Sequence, residues 1–196
     1  MAERAHPYDK GFKDRFWGLI KNPYRKLLFE RYMFCTRYIA DKNILEIPCG
    51  TGWGTSTLNG AKKIIGVDIH DESIEFANEH YATNEKSFQV GDMGNIEFSD
   101  SYFDVVICLE GFEHVERETA QRFINETRRV LKSGGLLIMT CPIILKGGRH
   151  SGNPYHVYEY KENELLDILN ENFYCIRIEE ISTPDNPIIR FVGKKI

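Results

Sequence analysis

From Lys42 onward, apolar and polar residues fall into runs of two alternating kinds. "NILEI" is a short apolar run between turn residues and predicts a strand. A short helix is expected next, over about 55–59. "KKIIGVD" reads as a second strand. "DESIEFANEHYA" places Ile74, Ala77 and Tyr81 at helical spacing, with Asp71 as its cap. "SFQVGD" and "YFDVVICLE" read as the third and fourth strands, the latter apolar enough to be buried on both faces. "RETAQRFINETRRVLK" sets Phe123, Thr127, Val130 and Leu131 on one helical face, with "SGG" as its stop. "LLIMTCP" is a fifth strand, "KENELLDILNEN" a helix, and "FYCIRIEEI" and "NPIIRFVGKKI" two strands joined by the turn-rich "STPDN".

Alternating strands and helices imply a parallel sheet covered on both faces. The two closing strands have a short link and must pair as a hairpin, so one runs antiparallel. The expectation is an α/β, Rossmann-like doubly wound fold. Its sheet has seven strands, mostly parallel, with an antiparallel C-terminal hairpin strand. One domain is expected over residues 1–196. It divides into a helical cap (1–41), a core (42–142), an irregular loop (143–160), and a helix with the hairpin (161–196). "PYRKLLFERYMFCTRYIA" in the cap reads as an amphipathic helix that packs on the sheet or lids a site. Long ordered loops in compact domains tend to be functional, which draws attention to "KGGRHSGNPYHVYEY".

Composition narrows the classes. Apolar residues make up 42% and charged residues 28% of 196 positions, as in ordinary globular proteins. The net charge of -4 supplies no global attraction to nucleic acid or acidic lipid. No run approaches the roughly 20 apolar residues that span a bilayer, and the charged first residues lack the apolar core of a signal peptide. Cys35, Cys49, Cys108, Cys141 and Cys175 form no CxxC pair and sit mostly in apolar runs, so a reducing, cytoplasmic location without disulfides is expected.

The chemistry concentrates in "ILEIPCGTGWGT". Glycines just beyond a first strand let the chain turn sharply and let a ligand approach without meeting a Cβ. An acid at the end of the second strand accepts ribose hydroxyls, and Asp68 stands 22 residues after Glu46. The glycines at 50, 52 and 54 do not match the dinucleotide pattern G-x-G-x-x-G, which makes a nicotinamide-dependent oxidoreductase a poor reading. No Gly-Lys-Ser/Thr follows, so this is not a P-loop. Glu46 would repel a pyrophosphate and suits a cationic ligand.

This stretch resembles motif I of the class I S-adenosylmethionine-dependent methyltransferases. "GVDIH", "VGDM", "FDVVICLEGFEHV" and "VLKSGGLLIMTCP" resemble that family's later motifs, in the same order. Pro48 departs from the glycine usual in the family and implies a stiffer loop. The resemblance implies S-adenosylmethionine as cofactor. It places Glu46 at the floor of the pocket, with Gly50, Thr51 and Gly52 beside the methionine part. Asp68 would accept both ribose hydroxyls and Ile69 would pack on the adenine. Asp92 would take the adenine amino group and the Met93 backbone would read the ring. Backbone at Leu109 would meet the methionine ammonium, and Arg31 its carboxylate.

"CLEGFEHV" raises a second question. On a helical turn, Glu110, Glu113 and His114 share one face, and two carboxylates with an imidazole suit Mg²⁺ or Mn²⁺. His156 or His150 from the long loop would add a ligand. The set resembles the metal sites of ubiquinone-pathway O-methyltransferases and small-RNA terminal 2′-O-methyltransferases. Two other readings stay open: His114 as a base without metal, with Glu113 and His156 beside it, or a structural role for the whole segment. Tyr155, His156, Tyr158 and Tyr160 offer aromatic faces with polar tips to a sugar or phenol. The expected function is O-methylation of a small-molecule hydroxyl. The alternatives are RNA 2′-O-methylation, which the acidic balance argues against, and a catalytically silent cofactor-binding module. The basic residues Arg15, Lys21, Arg25, Lys26 and Arg31 read as a solvated helix face.

Overall fold

Side chains alternate across a strand, so each strand of a covered sheet feeds two apolar layers. The protein shows this directly. The structure is a computed structural model that describes residues 23–144, 150–181 and 187–196. On one face Leu45, Ile65, Val106 and Met139 pack with Phe123, Ile124, Leu165 and Leu169. On the other, Ile44, Ile64, Val105 and Ile107 pack with Tyr32, Phe34, Cys35 and Leu58.

The elements are α1 (Pro23–Cys35), β1 (Asn43–Glu46), α2 (Trp53–Thr57), β2 (Lys63–Asp68), α3 (Asp71–Tyr81) and β3 (Lys86–Val90). Then come β4 (Phe103–Leu109), α4 (Arg117–Val130), β5 (Leu131–Pro142), α5 (Glu162–Asn172), β6 (Phe173–Ile181) and β7 (Ile188–Lys195). The sheet order is β3-β2-β1-β4-β5-β7-β6. β1 to β5 are parallel, and β7 runs antiparallel to both β5 and β6. The expected fold class is therefore observed. The order reverses between β1 and β4, and open α/β sheets bind ligands beyond such a point.

Several local expectations are corrected. α1 ends at Cys35, and Thr36–Tyr38 form one 3₁₀ turn. α2 begins at Trp53, two residues early. His70, not Asp71, caps α3; Asp71 lies in the first turn, where its charge faces the helix dipole. α4 stops at Val130 because Leu131 already has extended backbone, before "SGG" is reached. The "STPDN" link and the first 22 residues fall outside the described residues. Lys26 pairs with Glu30 at 3.8 Å on the surface, whereas Arg31 turns inward, so these two do not form one solvated basic face. Arg15 and Lys21 lie outside the described residues, as does the side chain of Arg25.

Candidate active site

The glycine loop divides its labour. Gly50 has φ +53 and nothing within 4 Å of the place a Cβ would take, so its backbone is open to a ligand. Gly52 has φ +74, and a Cβ there would stand 2.7 Å from Ala77 and from Phe88. It serves the turn and the packing beneath it. Gly54 makes room for α1: a Cβ there would stand 1.7 Å from Cζ of Tyr32. Pro48 fits because Gly111 faces it, with a virtual Cβ 2.2 Å from the proline Cδ. The first-strand loop is thereby pressed against the segment that follows β4.

Gly54 yields a prediction in which two effects oppose. Ala is better than Gly in a helix by about 1 kcal/mol. Overpacking a filled site costs about 1–3 kcal/mol, sometimes more. The overlap with the buried Tyr32 ring makes the second effect win, so Gly54→Ala destabilises the protein by about 2 kcal/mol, read by chemical denaturation. A stabilised variant would show that Tyr32 does not hold this position.

The end of β1 carries Glu46 at 0% exposure. Thr55 donates to its Oε2 at 2.6 Å, and the Tyr32 hydroxyl lies beside it. Oε1 still meets no partner in hydrogen-bond geometry. Burial pushes the Glu46 carboxyl up to about 7, against the bonds from Thr55 and Tyr32. Asp68, at the end of β2, is 5% exposed. Its Oδ2 accepts the Gly50 N–H at 2.8 Å and its Oδ1 the His70 N–H at 3.1 Å. Beyond it Ile69 is 62% exposed, a free apolar face next to the acid. Asp92 is exposed, with Oδ1 accepting the Gly94 N–H at 2.7 Å. Thr51, Met93 and Leu109 are buried, and Leu109 ends β4.

After Leu109 the chain does not form one helical turn. Glu110 has φ +52, and the 3₁₀ turn covers only Phe112–His114. Glu110 is therefore not brought into one cluster with Glu113 and His114; it pairs with Arg31 at 3.2 Å. This corrects the four-ligand set. One ligand atom each from Glu113, His114 and His156 lies within 4.8 Å of the others.

The backbone explains how residues so far apart in sequence meet. The N–H groups of Val157 and Tyr158 donate to the Glu113 carbonyl at 2.9 and 3.1 Å. His114 Nδ1 bonds the Tyr155 carbonyl at 2.9 Å, and the two imidazole rings stand 5.3 Å apart. His156 Nδ1 lies 2.8 Å from Oε1 of Glu159. Glu159 also accepts the Ser151 N–H at 2.9 Å, and the Ser151 hydroxyl bonds it as well. Burial works to raise the Glu159 carboxyl, but the bonds from Ser151 and His156 hold it below the usual range. A carboxylate or carbonyl behind each imidazole fixes its orientation. Glu113 is fully buried. The Cys141 thiol lies beside it, yet neither carboxylate oxygen has a partner in hydrogen-bond geometry. Burial, then the nearby Glu110 carboxylate, push it well above the usual range.

His150 is not a member of this cluster; it bonds Glu159 at 3.0 Å. Tyr160 is 1% exposed and packs on Phe112, and Tyr158 donates to Glu164 at 2.9 Å under the Arg117 guanidinium. Both anchor the loop rather than wall an acceptor, which leaves Tyr155, at 42% exposure, beside His156. Thr55, Ser151 and Glu159 were missed by the sequence reading; Tyr32 was placed only on a helix resembling one that covers the cofactor, not beside Glu46. Only Glu159 left a signal, three residues after His156.

Residues 45–139 match the model of a methyltransferase-domain family. A Mycolicibacterium smegmatis protein named a probable S-adenosylmethionine-dependent methyltransferase is 28% identical over 134 residues, 66% of this chain and 51% of its own. The chloroplastic tocopherol O-methyltransferase of Arabidopsis thaliana is 29% identical over 142 residues, 68% of this chain and 38% of its own. The chain thus spans about half the length, or less, of the curated relatives it matches. A Haloferax volcanii protein described as a methyltransferase, solved with a methyltransferase activator, superposes with a TM-score of 0.74. It has 16% identity and covers 93% of this chain and 95% of its own. Residues 45–139 thus match a methyltransferase domain, and the sheet order and the loop beyond β1 follow the fold of the solved structures it resembles.

Proposed function

We propose that this chain transfers a methyl group from S-adenosylmethionine to a hydroxyl of a small molecule, with a divalent ion at Glu113, His114 and His156. The observation that carries the hydroxyl chemistry is the Glu113 carboxylate, buried without a hydrogen-bond partner beside two imidazoles whose Nδ1 atoms are tied elsewhere. An ionised carboxylate in such a place is costly unless a cation or donor arrives. One carboxylate with two imidazoles suits Mn²⁺ better than the oxygen-seeking Mg²⁺.

The cofactor supplies an activated methyl on a sulfonium. An ion held by Glu113, His114 and His156 would supply Lewis acidity toward the acceptor hydroxyl. The chain's own task is placement. Asp68 is positioned for the ribose hydroxyls, and Gly50 leaves its backbone clear for the ligand. Glu46 lies under the floor as the counter-charge to a cation. Holding donor and acceptor in line is worth about 7–11 kcal/mol in favourable cases. The acceptor is read as a small molecule rather than nucleic acid because the chain carries a net charge of -4. Five free cysteines, four of them buried, fit the cytoplasm, and no helix among the described residues is long and apolar enough to cross a membrane.

Calorimetry with Mn²⁺ and Mg²⁺ on chelator-treated protein tests the metal. Binding is expected in the wild type and its loss in Glu113→Gln and in His156→Ala. Cofactor binding without metal heat would shift the role to His114 acting as the base alone.

A further inference from the structure

The Arg31–Glu110 pair stands over the switch point between β1 and β4. Glu110 follows β4 directly, and its N–H is held by the Thr140 carbonyl at 3.1 Å. Arg31 precedes Tyr32, the residue that covers Gly54 and lies beside Glu46. The two side chains are withdrawn from solvent, at 12% and 23% exposure. They meet through one contact, Nη2 to Oε2 at 3.2 Å. A good guanidinium–carboxylate pair makes two parallel bonds. Here Arg31 Nε and Glu110 Oε1 are both buried with no hydrogen-bond partner. The guanidinium is therefore held, but not satisfied.

A ligand carboxylate entering this crevice meets Glu110 and the Arg31 guanidinium that Glu110 holds. We propose that Arg31 is contested: Glu110 holds it in the empty protein, and the amino-acid carboxylate of the cofactor must take it from Glu110 to bind. The pair is a latch that opposes cofactor binding. The proposal rests on the S-adenosylmethionine reading.

The test uses two probes on the full chain. S-adenosylhomocysteine carries the carboxylate; 5′-methylthioadenosine has the same nucleoside thioether without it. Glu110→Gln should tighten S-adenosylhomocysteine by about tenfold, a coupling of ordinary size, and leave 5′-methylthioadenosine unchanged. Glu110→Ala should do the same and guards against a variant that fails to fold. In an Arg31→Met background, S-adenosylhomocysteine should bind more weakly and Glu110→Gln should no longer tighten it. Tightening of both probes, or of neither, overturns the latch while leaving the cofactor reading intact. A wild type that binds neither probe overturns both.

Discussion

Asp68→Ala should weaken S-adenosylhomocysteine binding by at least a hundredfold. The carboxylate is 5% exposed and already organises the site, with one oxygen on the Gly50 N–H and the other on the His70 N–H. Each oxygen keeps a lone pair for a ribose hydroxyl. Hydrogen bonds to a charged acceptor are worth about 1.5–3 kcal/mol each. Losing two of them amounts to about 3–6 kcal/mol, or between two and four powers of ten in Kd. Alanine also strands the Gly50 N–H in a loop whose φ is +53. The affinity loss should therefore come with a lower Tm of the free protein. Asp68→Asn should fall between, because it keeps one acceptor. Calorimetry and thermal melts read both effects. An Asp68→Ala affinity within tenfold of wild type would mean the ribose lies elsewhere.

Glu46→Gln should act in opposite directions on stability and on binding. Burial disfavours the charge of the folded carboxyl and pushes it up to about 7, from an ordinary 4.5. Its folded pKa is raised, so its contribution is fully present below about pH 4.5 and is lost as pH rises through about 7. At 1.36 kcal/mol per pH unit, the penalty at pH 8 is about 3 kcal/mol. Glutamine cannot ionise and keeps an oxygen for Thr55. The Tm of the variant relative to wild type should rise by roughly 5–10 °C between pH 5 and pH 8. The groups that face Glu46 are Tyr32, Thr55, Asp68 and Lys86. Cys35 and Cys49 also stand close enough for its charge to act on them.

Binding should show the reverse sign. A cationic ligand draws the Glu46 proton off, so S-adenosylmethionine binding at pH 6 should release protons. That release appears as a heat that depends on the ionisation enthalpy of the buffer. Glu46→Gln should abolish that dependence and weaken the affinity. Proton release that persists in the variant would place the titrating group elsewhere.

The parts of the fold set by local rules were legible in the sequence. Short continuous apolar runs marked β1, β2, β4 and β5, because strands covered on both faces need them. The short link between "FYCIRIEEI" and "NPIIRFVGKKI" implied that one of them runs antiparallel, since a short link cannot make a parallel crossover; the structure makes it β7. Helix ends read less well. α4 stops before its glycines because Leu131 joins the β5 register opposite Phe103, a tertiary choice. In the site, Asp68 and the glycines were readable from spacing. Their division of labour was not: Gly54 serves Tyr32, which lies outside the motif. Glu110 was assigned to a metal from helical periodicity, and one residue in the left-handed region removed that register. Glu159 was missed because its importance depends on the loop folding back onto Glu113.

The most direct measurement is a calorimetric titration of the protein with S-adenosylhomocysteine and, separately, with NAD. Binding of the first at micromolar concentration, with no heat from the second, is the predicted result. Binding of NAD, or no binding of S-adenosylhomocysteine, would contradict the account at its centre.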